Sequence, residues 1–155
     1  MASIHATCVA LENGSGTSPG LIGVLLRGPS GSGKSDLALR LVDAGALLVA
    51  DDRVVLAHED GAVVARPPAA LAGLLEVRGV GPLPVPAAPA APVRLVVDLV
   101  PPDRVERLPD LRRCSYLGIE LPLFALAPFE ASAPAKLRLL ARAAGTSEAW
   151  PAVAP

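Results

Sequence analysis

Short apolar blocks, each closed by glycine, proline or a charged cluster, alternate along this chain with two stretches of helical spacing. Ile4–Leu11 reads as a strand, with Cys8, Val9, Ala10 and Leu11 as its apolar bulk. Asn13–Ser18 is a turn cluster. Leu21–Leu26 is a continuous apolar run of the kind a buried strand shows. Beyond a glycine-rich loop, Leu37, Leu41 and Ala44 recur at helical spacing, which predicts a helix from about Lys34 to Ala44 with Gly45 as its C′ residue. Ala46–Ala50 is another buried strand, ending in Asp51-Asp52-Arg53. Strand, loop, helix and strand form a βαβ unit whose two strands are expected to be parallel neighbours.

The second half is less regular. Val54–Ala57 and Ala62–Arg66 flank His58-Glu59-Asp60-Gly61, the pattern of a hairpin turning at Asp-Gly. Pro67-Pro68 is read as opening a short helix through Leu75. Pro82–Pro92 is a Pro/Ala loop, and Val93–Val100 is a strand carrying Asp98. Leu121–Leu126, interrupted by Pro122, suits an edge strand. Ser132 caps a last helix, with Pro134 in its first turn, running to about Ala144. The expected architecture is α/β: a mixed sheet with a βαβ phosphate-binding unit and an added β-hairpin. One domain spans residues 1–145 and a tail follows over 146–155.

Composition narrows the chemistry. The chain is 52% apolar but only 3% aromatic, so Ala, Val, Leu and Pro must fill the core, and thin helices can pack close to the sheet. A net charge of -1 with no basic stripe argues against a nucleic-acid partner. Cys8 and Cys114 form no CxxC pair and read as reduced thiols. Met1–His5 lacks a signal-peptide pattern, and no apolar run reaches the ~18 residues of a membrane helix, so a cytoplasmic protein with no membrane partner is expected.

The glycine-rich loop Gly28-Pro29-Ser30-Gly31-Ser32-Gly33-Lys34-Ser35 fits G-x-x-x-x-G-K-[ST], the P-loop pattern. Its backbone N–H groups and the start of the following helix present positive potential to phosphate oxygens. Lys34 adds a charge between the β- and γ-phosphates, and the Ser35 hydroxyl is a Mg²⁺ ligand, so ATP with Mg²⁺ is the expected ligand. Only Lys34 and Lys136 among the 14 basic residues are lysine, so a chain that otherwise chooses arginine has a lysine at the one position the loop requires. At the carboxyl end of the next strand, Asp51 and Asp52 stand where ligands of α/β sheets gather. Adjacent strand residues face opposite ways, so one is expected to hold Mg²⁺ and the other to do acid/base work.

Taken together, His5-Ala6, Gly28–Ser35, Leu48-Val-Ala-Asp51-Asp52-Arg53-Val54 and Leu75-Glu76-Val-Arg78-Gly79-Val-Gly81 resemble the catalytic domain of bacterial HPr kinase/phosphorylase, in the short form of alphaproteobacteria that lacks the separate N-terminal domain. The resemblance, over roughly residues 3–110, implies a P-loop kinase-like fold and ATP-dependent phosphorylation of a serine on HPr, a phosphocarrier protein, or on its nitrogen-system homologue. It implies that Asp51 and Glu76 join Ser35 at the metal. By the same resemblance Asp52 takes the proton of the acceptor serine, His5 lies beside Asp52, and Arg78 and Arg107 stabilise the transferring group. A homo-hexamer is implied as well. Two other readings are compatible with the loop: a small-molecule kinase, distinguished by consumption of ATP on a metabolite, and a nucleotide-binding regulator, distinguished by binding without turnover.

Overall fold

The computed structural model describes residues 1–13 and 20–146. The turn expected at Asn13–Ser18 lies, beyond Asn13, outside the described residues, as does the expected tail from residue 147. In chain order the elements are β1 (Ala2–Ile4), β2 (Thr7–Glu12), β3 (Leu21–Arg27), α1 (Lys34–Asp43), β4 (Leu47–Ala50), β5 (Val54–Glu59), β6 (Ala62–Arg66), β7 (Leu74–Val77), β8 (Gly81–Pro84), β9 (Ala91–Leu99), β10 (Arg112–Tyr116), β11 (Ile119–Leu126) and α2 (Ala133–Thr146). The class is α/β with a mixed sheet, as expected.

Among the described residues, nine strands form one sheet, ordered β1-β5-β6-β9-β3-β2-β4, with β11 also on β9 and β10 beyond it. The expected βαβ unit needs correcting. β2 lies between β3 and β4 and is antiparallel to both, so the strands flanking α1 run the same way without touching. The parallel neighbour of β3 is instead β9. The expected strand Ile4–Leu11 is broken at His5 into β1 and β2, which pair with different partners.

Strand alternation explains the core. Val9, Val24, Leu26, Leu95 and Val97 face α1 and α2, whose Leu37, Ala38, Leu41, Ala133, Leu137 and Ala141 are all buried. Cys8, Leu25 and Val96 face the other way, toward Val54, Leu56, Val63 and Leu121. Each fully buried Leu or Val stabilises the fold by roughly 1.5–3 kcal/mol relative to exposure. Helix α1 ends as its sequence requires: Gly45 takes φ +107, Ala46 N–H donates to Leu41 C=O and Gly45 N–H to Val42 C=O, a Schellman arrangement.

Other expectations are revised. The hairpin is tighter than expected, with Asp60 (φ +50) and Gly61 (φ +78) alone joining β5 to β6. Pro67-Pro68 opens no helix beyond one 3₁₀ turn at Ala69–Leu71, because the chain must already extend into β7. β7 and β8 form a separate two-stranded ribbon that takes up the start of the Pro/Ala loop. The rest of that loop is pinned along β4: Leu48 N–H donates to Pro86 C=O and Ala88 N–H to Leu48 C=O. Backbone pairing there masks an open sheet edge. β11 is not an edge strand, since β10 covers it and its pairing with β9 starts at Leu123, just after the proline. α2 runs past its expected end at Ala144 to take in Gly145 and Thr146, the first residue of the expected tail; a Cβ at Gly145 would come within 2.3 Å of Ile22 Cδ1, so glycine lets the helix seat on β3.

Candidate active site

β3 and β9 run parallel, and β9 and β11 likewise, so the loops after all three leave at one end of the sheet. The loop after β3 is the glycine-rich segment. Gly31 and Gly33 have φ of +83 and +104, conformations that side chains resist. Gly33 also has no room for a Cβ, which would lie 2.9 Å from Phe129 Cζ. Lys34 opens α1 and is only 6% exposed. Its Nζ donates to the carbonyls of Gly28 (2.7 Å) and Pro29 (3.1 Å), and it forms no ion pair with a carboxylate among the described residues. A buried ammonium held only by neutral oxygens is a strong attractor for an anion.

The strand β4 delivers the two carboxylates, and they differ sharply. Asp51 is buried at 8% exposure. Its Oδ1 accepts from Ser35 Oγ (2.7 Å) and Thr7 Oγ1 (3.1 Å), and its Oδ2 accepts from Glu76 N–H (3.0 Å). Asp52 stands outside the strand with φ +66, and its side chain is 65% exposed. Arg53 N–H closes on Asp51 C=O at 2.7 Å, making Asp52 the centre of a three-residue turn of the rarer, strained hand. His5 Nε2 lies 2.7 Å from Asp52 Oδ1, and Asp52 N–H donates to Thr7 Oγ1 at 3.3 Å. The two carboxylates therefore sit in different surroundings, and the cause is this turn and not the strand alternation that was expected to separate them.

Thr7 was not among the expected site residues. It is fully buried and bridges Asp51 to the backbone of Asp52. The available signal was a hydroxyl directly ahead of the apolar run from Cys8. A cavity of about 300 Å³ brings together Ser30, Gly31, Gly33, Lys34, Ser35, Asp52, Glu76 and Arg78, with Leu39 and Phe129 as apolar wall. Glu76 and Arg78 come from the β7–β8 ribbon, with Arg78 at its turn. Glu76 reaches Asp51 through its backbone N–H. Arg107 is exposed between β9 and β10 and lines neither this cavity nor its neighbour, so the fold does not gather it with the others.

The residues present fit a magnesium–nucleotide. Ser35 Oγ and Asp51 Oδ1 are hard oxygen donors 2.7 Å apart. Adjacent ligands of a Mg²⁺ octahedron, with bonds of ~2.1 Å, lie ~3 Å apart. Among the described residues no group of three or more His, Cys, Asp and Glu could hold a metal by itself. A Mg²⁺ that arrives with a nucleotide takes few protein oxygens, with phosphate and water completing its shell. Ser32 Oγ, enclosed in the loop without a hydrogen-bond partner, is a further polar group that a phosphate-bound loop could satisfy.

A glycine loop between strand and helix, a buried lysine and a carboxylate against the helix-start serine define a P-loop kinase-like α/β domain. Residues 16–113 match the family described as the HPr Serine kinase C-terminal domain, and the chain belongs to that family. The chain is 48% identical over 60 residues to the HPr kinase/phosphorylase of Clostridium beijerinckii, and 54% identical over 61 residues to that of Streptococcus thermophilus. Each match covers 39% of this chain and 20% of the relative, so the chain spans about a fifth of the length of these curated relatives. The Hpr(Ser) kinase/phosphatase from Coxiella burnetii has the same fold, with a TM-score of 0.76 and 27% identity over 92% of this chain and 89% of that one. No helix among the described residues is long and apolar enough to cross a membrane.

Proposed function

We propose that this chain is an ATP- and Mg²⁺-dependent protein-serine kinase whose substrate is a small phosphocarrier protein, HPr or its nitrogen-system homologue. The observation that carries the proposal is one cavity lined both by Lys34 and Ser35 of the phosphate loop and by the exposed Asp52, which His5 holds through its Oδ1. Membership in the HPr Serine kinase C-terminal domain family supports the acceptor class.

The loop N–H groups of Gly28–Ser35 and Lys34 Nζ bind the phosphate chain and offset its charge. Ser35, Asp51 and, across the cavity, Glu76 would hold Mg²⁺, which when bound neutralises charge on the β- and γ-phosphates. Asp52 accepts the acceptor-serine proton at Oδ2, while His5 Nε2 holds Oδ1 at 2.7 Å and fixes the carboxylate's rotation. The serine Oγ–P bond forms as the bond from the γ-phosphorus to the β,γ-bridging oxygen breaks, and ADP leaves. Arg78, at the cavity mouth, stabilises charge on the transferring oxygens. Arg107 belongs to this set only if its segment moves or a second copy of the chain supplies it, as the hexamer implied by resemblance would allow.

The test is incubation with ATP, Mg²⁺ and the phosphocarrier proteins of the same cell, reading phosphoserine by mass spectrometry. Asp52→Asn keeps a residue type that tolerates φ > 0, and should lower transfer ~10²–10⁴-fold with nucleotide binding preserved. Lys34→Ala should abolish both. ATP bound without phosphoserine on any carrier would exclude the kinase assignment and favour a regulator.

A further inference from the structure

A second, larger cavity of about 760 Å³ opens on the far side of the phosphate loop. Its walls come from three segments leaving the same end of the sheet: Gly28–Ser32 after β3, Leu99–Pro102 with Arg104 after β9, and Ala127–Phe129 after β11. Ser30, Gly31 and Phe129 line both cavities, so the two adjoin at the loop. A nucleotide whose γ-phosphate points toward Asp52 must direct its base away from Asp52. The second cavity shares the loop with the first, and Asp52 does not line it.

We propose that this cavity is the base subsite, that Arg104 lies against the base, and that the site accepts adenine and guanine alike. The inference rests on the nucleotide reading of the loop given above. The walls are apolar: Leu99, Val100, Pro101 and Pro102 on one side, Ala127, Pro128 and Phe129 on the other. Flat heteroaromatic rings gain from such surfaces whatever groups their edges carry.

Reading a base edge needs paired donors and acceptors, and the cavity's charged groups are mostly committed elsewhere. Arg27 and Asp98 grip each other, Nε to Oδ1 at 2.6 Å and Nη2 to Oδ2 at 3.0 Å, and Arg27 Nη1 also donates to Tyr116. Among the described residues no Asn, Gln, Thr or Glu lines the walls, and the hydroxyls there are those of Ser30 and Ser32 in the phosphate loop. Arg104 is the exception. It is exposed in the 3₁₀ turn Pro102–Arg104, and among the described residues its guanidinium has neither an ion pair nor a side-chain hydrogen bond. A planar guanidinium stacks on any purine face without distinguishing the two.

Calorimetric titration of the full chain with Mg-ATP, Mg-GTP and magnesium tripolyphosphate, for wild type and Arg104→Ala, tests the assignment. ATP and GTP should bind within about threefold of each other, and both at least ~10-fold more tightly than tripolyphosphate. Arg104→Ala should weaken both nucleotides about five- to tenfold and tripolyphosphate less than about twofold. Because Arg104 is exposed and holds nothing in the fold, the variant reports on binding. Equal weakening of tripolyphosphate would turn Arg104 into a phosphate contact and overturn the proposal. So would unchanged nucleotide affinity, or a preference of more than about 30-fold for one purine. Tripolyphosphate binding with no gain from the nucleoside would remove the subsite alone. Failure of both tripolyphosphate and nucleotide to bind the wild type would remove the phosphate-loop reading, and the subsite with it.

Discussion

Thr7 carries an unusual share of the site for a residue that lines neither of the two cavities described. Its Oγ1 donates to Asp51 Oδ1 at 3.1 Å and accepts from Asp52 N–H at 3.3 Å, and the residue is 0% exposed. Thr7→Val keeps the shape and removes both bonds. A hydrogen bond to a charged group contributes ~1.5–3 kcal/mol, and the longer neutral bond at the low end of ~0.5–1.5 kcal/mol. The added methyl, buried in the hydroxyl's place, returns ~1 kcal/mol. The net loss is therefore ~1–3 kcal/mol.

Urea unfolding measures it directly. With m of ~2 kcal/mol/M for a domain of this size, the midpoint should fall by ~0.5–1.5 M at unchanged m. Thr7→Ser separates the hydroxyl from the methyl: it should lose only ~1 kcal/mol of packing and keep the loop geometry. Thr7→Val should also reduce phosphoryl transfer, because it frees Asp51 and the turn at Asp52 together, whereas Thr7→Ser should not. If Val is as stable as wild type, or if Ser is the worse of the two, Thr7 is ordinary core packing and its role at the carboxylates is refuted.

Two further outcomes follow from local geometry. With φ at +66, Asp52→Ala should be ~1 kcal/mol less stable than Asp52→Gly, the reverse of the usual order, while both lose transfer; parallel thermal melts and phosphoserine yields check it. Burial pushes the Cys8 thiol up to about 12, so it should resist iodoacetamide in the folded protein at pH 8 and react only after unfolding, as peptide mapping would show. Because the folded state holds that proton more tightly, its contribution is intact below the unfolded value near 9. It is then lost by ~1.4 kcal/mol per pH unit as pH rises toward 12, so stability measured against pH should bend downward there.

The legible part of this protein was local. The phosphate loop, the helix ending at Gly45, the Asp60-Gly61 turn and the position of Asp51-Asp52 each follow from a few adjacent residues with a specific backbone demand. Pairing was not legible, because strand neighbours are chosen by burial across the whole sheet. A short apolar strand such as Leu47–Ala50 carries no mark telling it to pair with β2 and not β3. Arg112–Tyr116 has no apolar run to mark it as a strand, since its residues are intermediate or exposed, yet its backbone covers β11. For the same reason an arginine near the site could not be chosen by spacing: Arg107 had the better motif, while Arg104 lines the cavity.

The adjacent carboxylates show what the break after β4 achieves. If the strand continued through Asp51 and Asp52, alternation would send one of them to the far face of the sheet, away from the phosphates. The left-handed turn instead leaves both at one end, in surroundings of opposite character. Asp51, with three donors, is fixed in place, as suits the metal ligand proposed above. Asp52 has a side-chain partner on Oδ1, His5, and its exposed side chain leaves Oδ2 for the acceptor hydroxyl of the proposed reaction. Separating these tasks required no change of residue type, only a backbone conformation that costs ~1–2 kcal/mol. That cost is offset by bonds on either side of the turn, from Ala6 N–H to Asp52 C=O at 3.2 Å and from Asp52 N–H to Thr7. The strain therefore persists because the backbone at Ala6 and the Thr7 side chain at the start of β2 hold it, and the proposed acid/base residue depends on a strand whose next residues, Cys8, Val9 and Ala10, are apolar core.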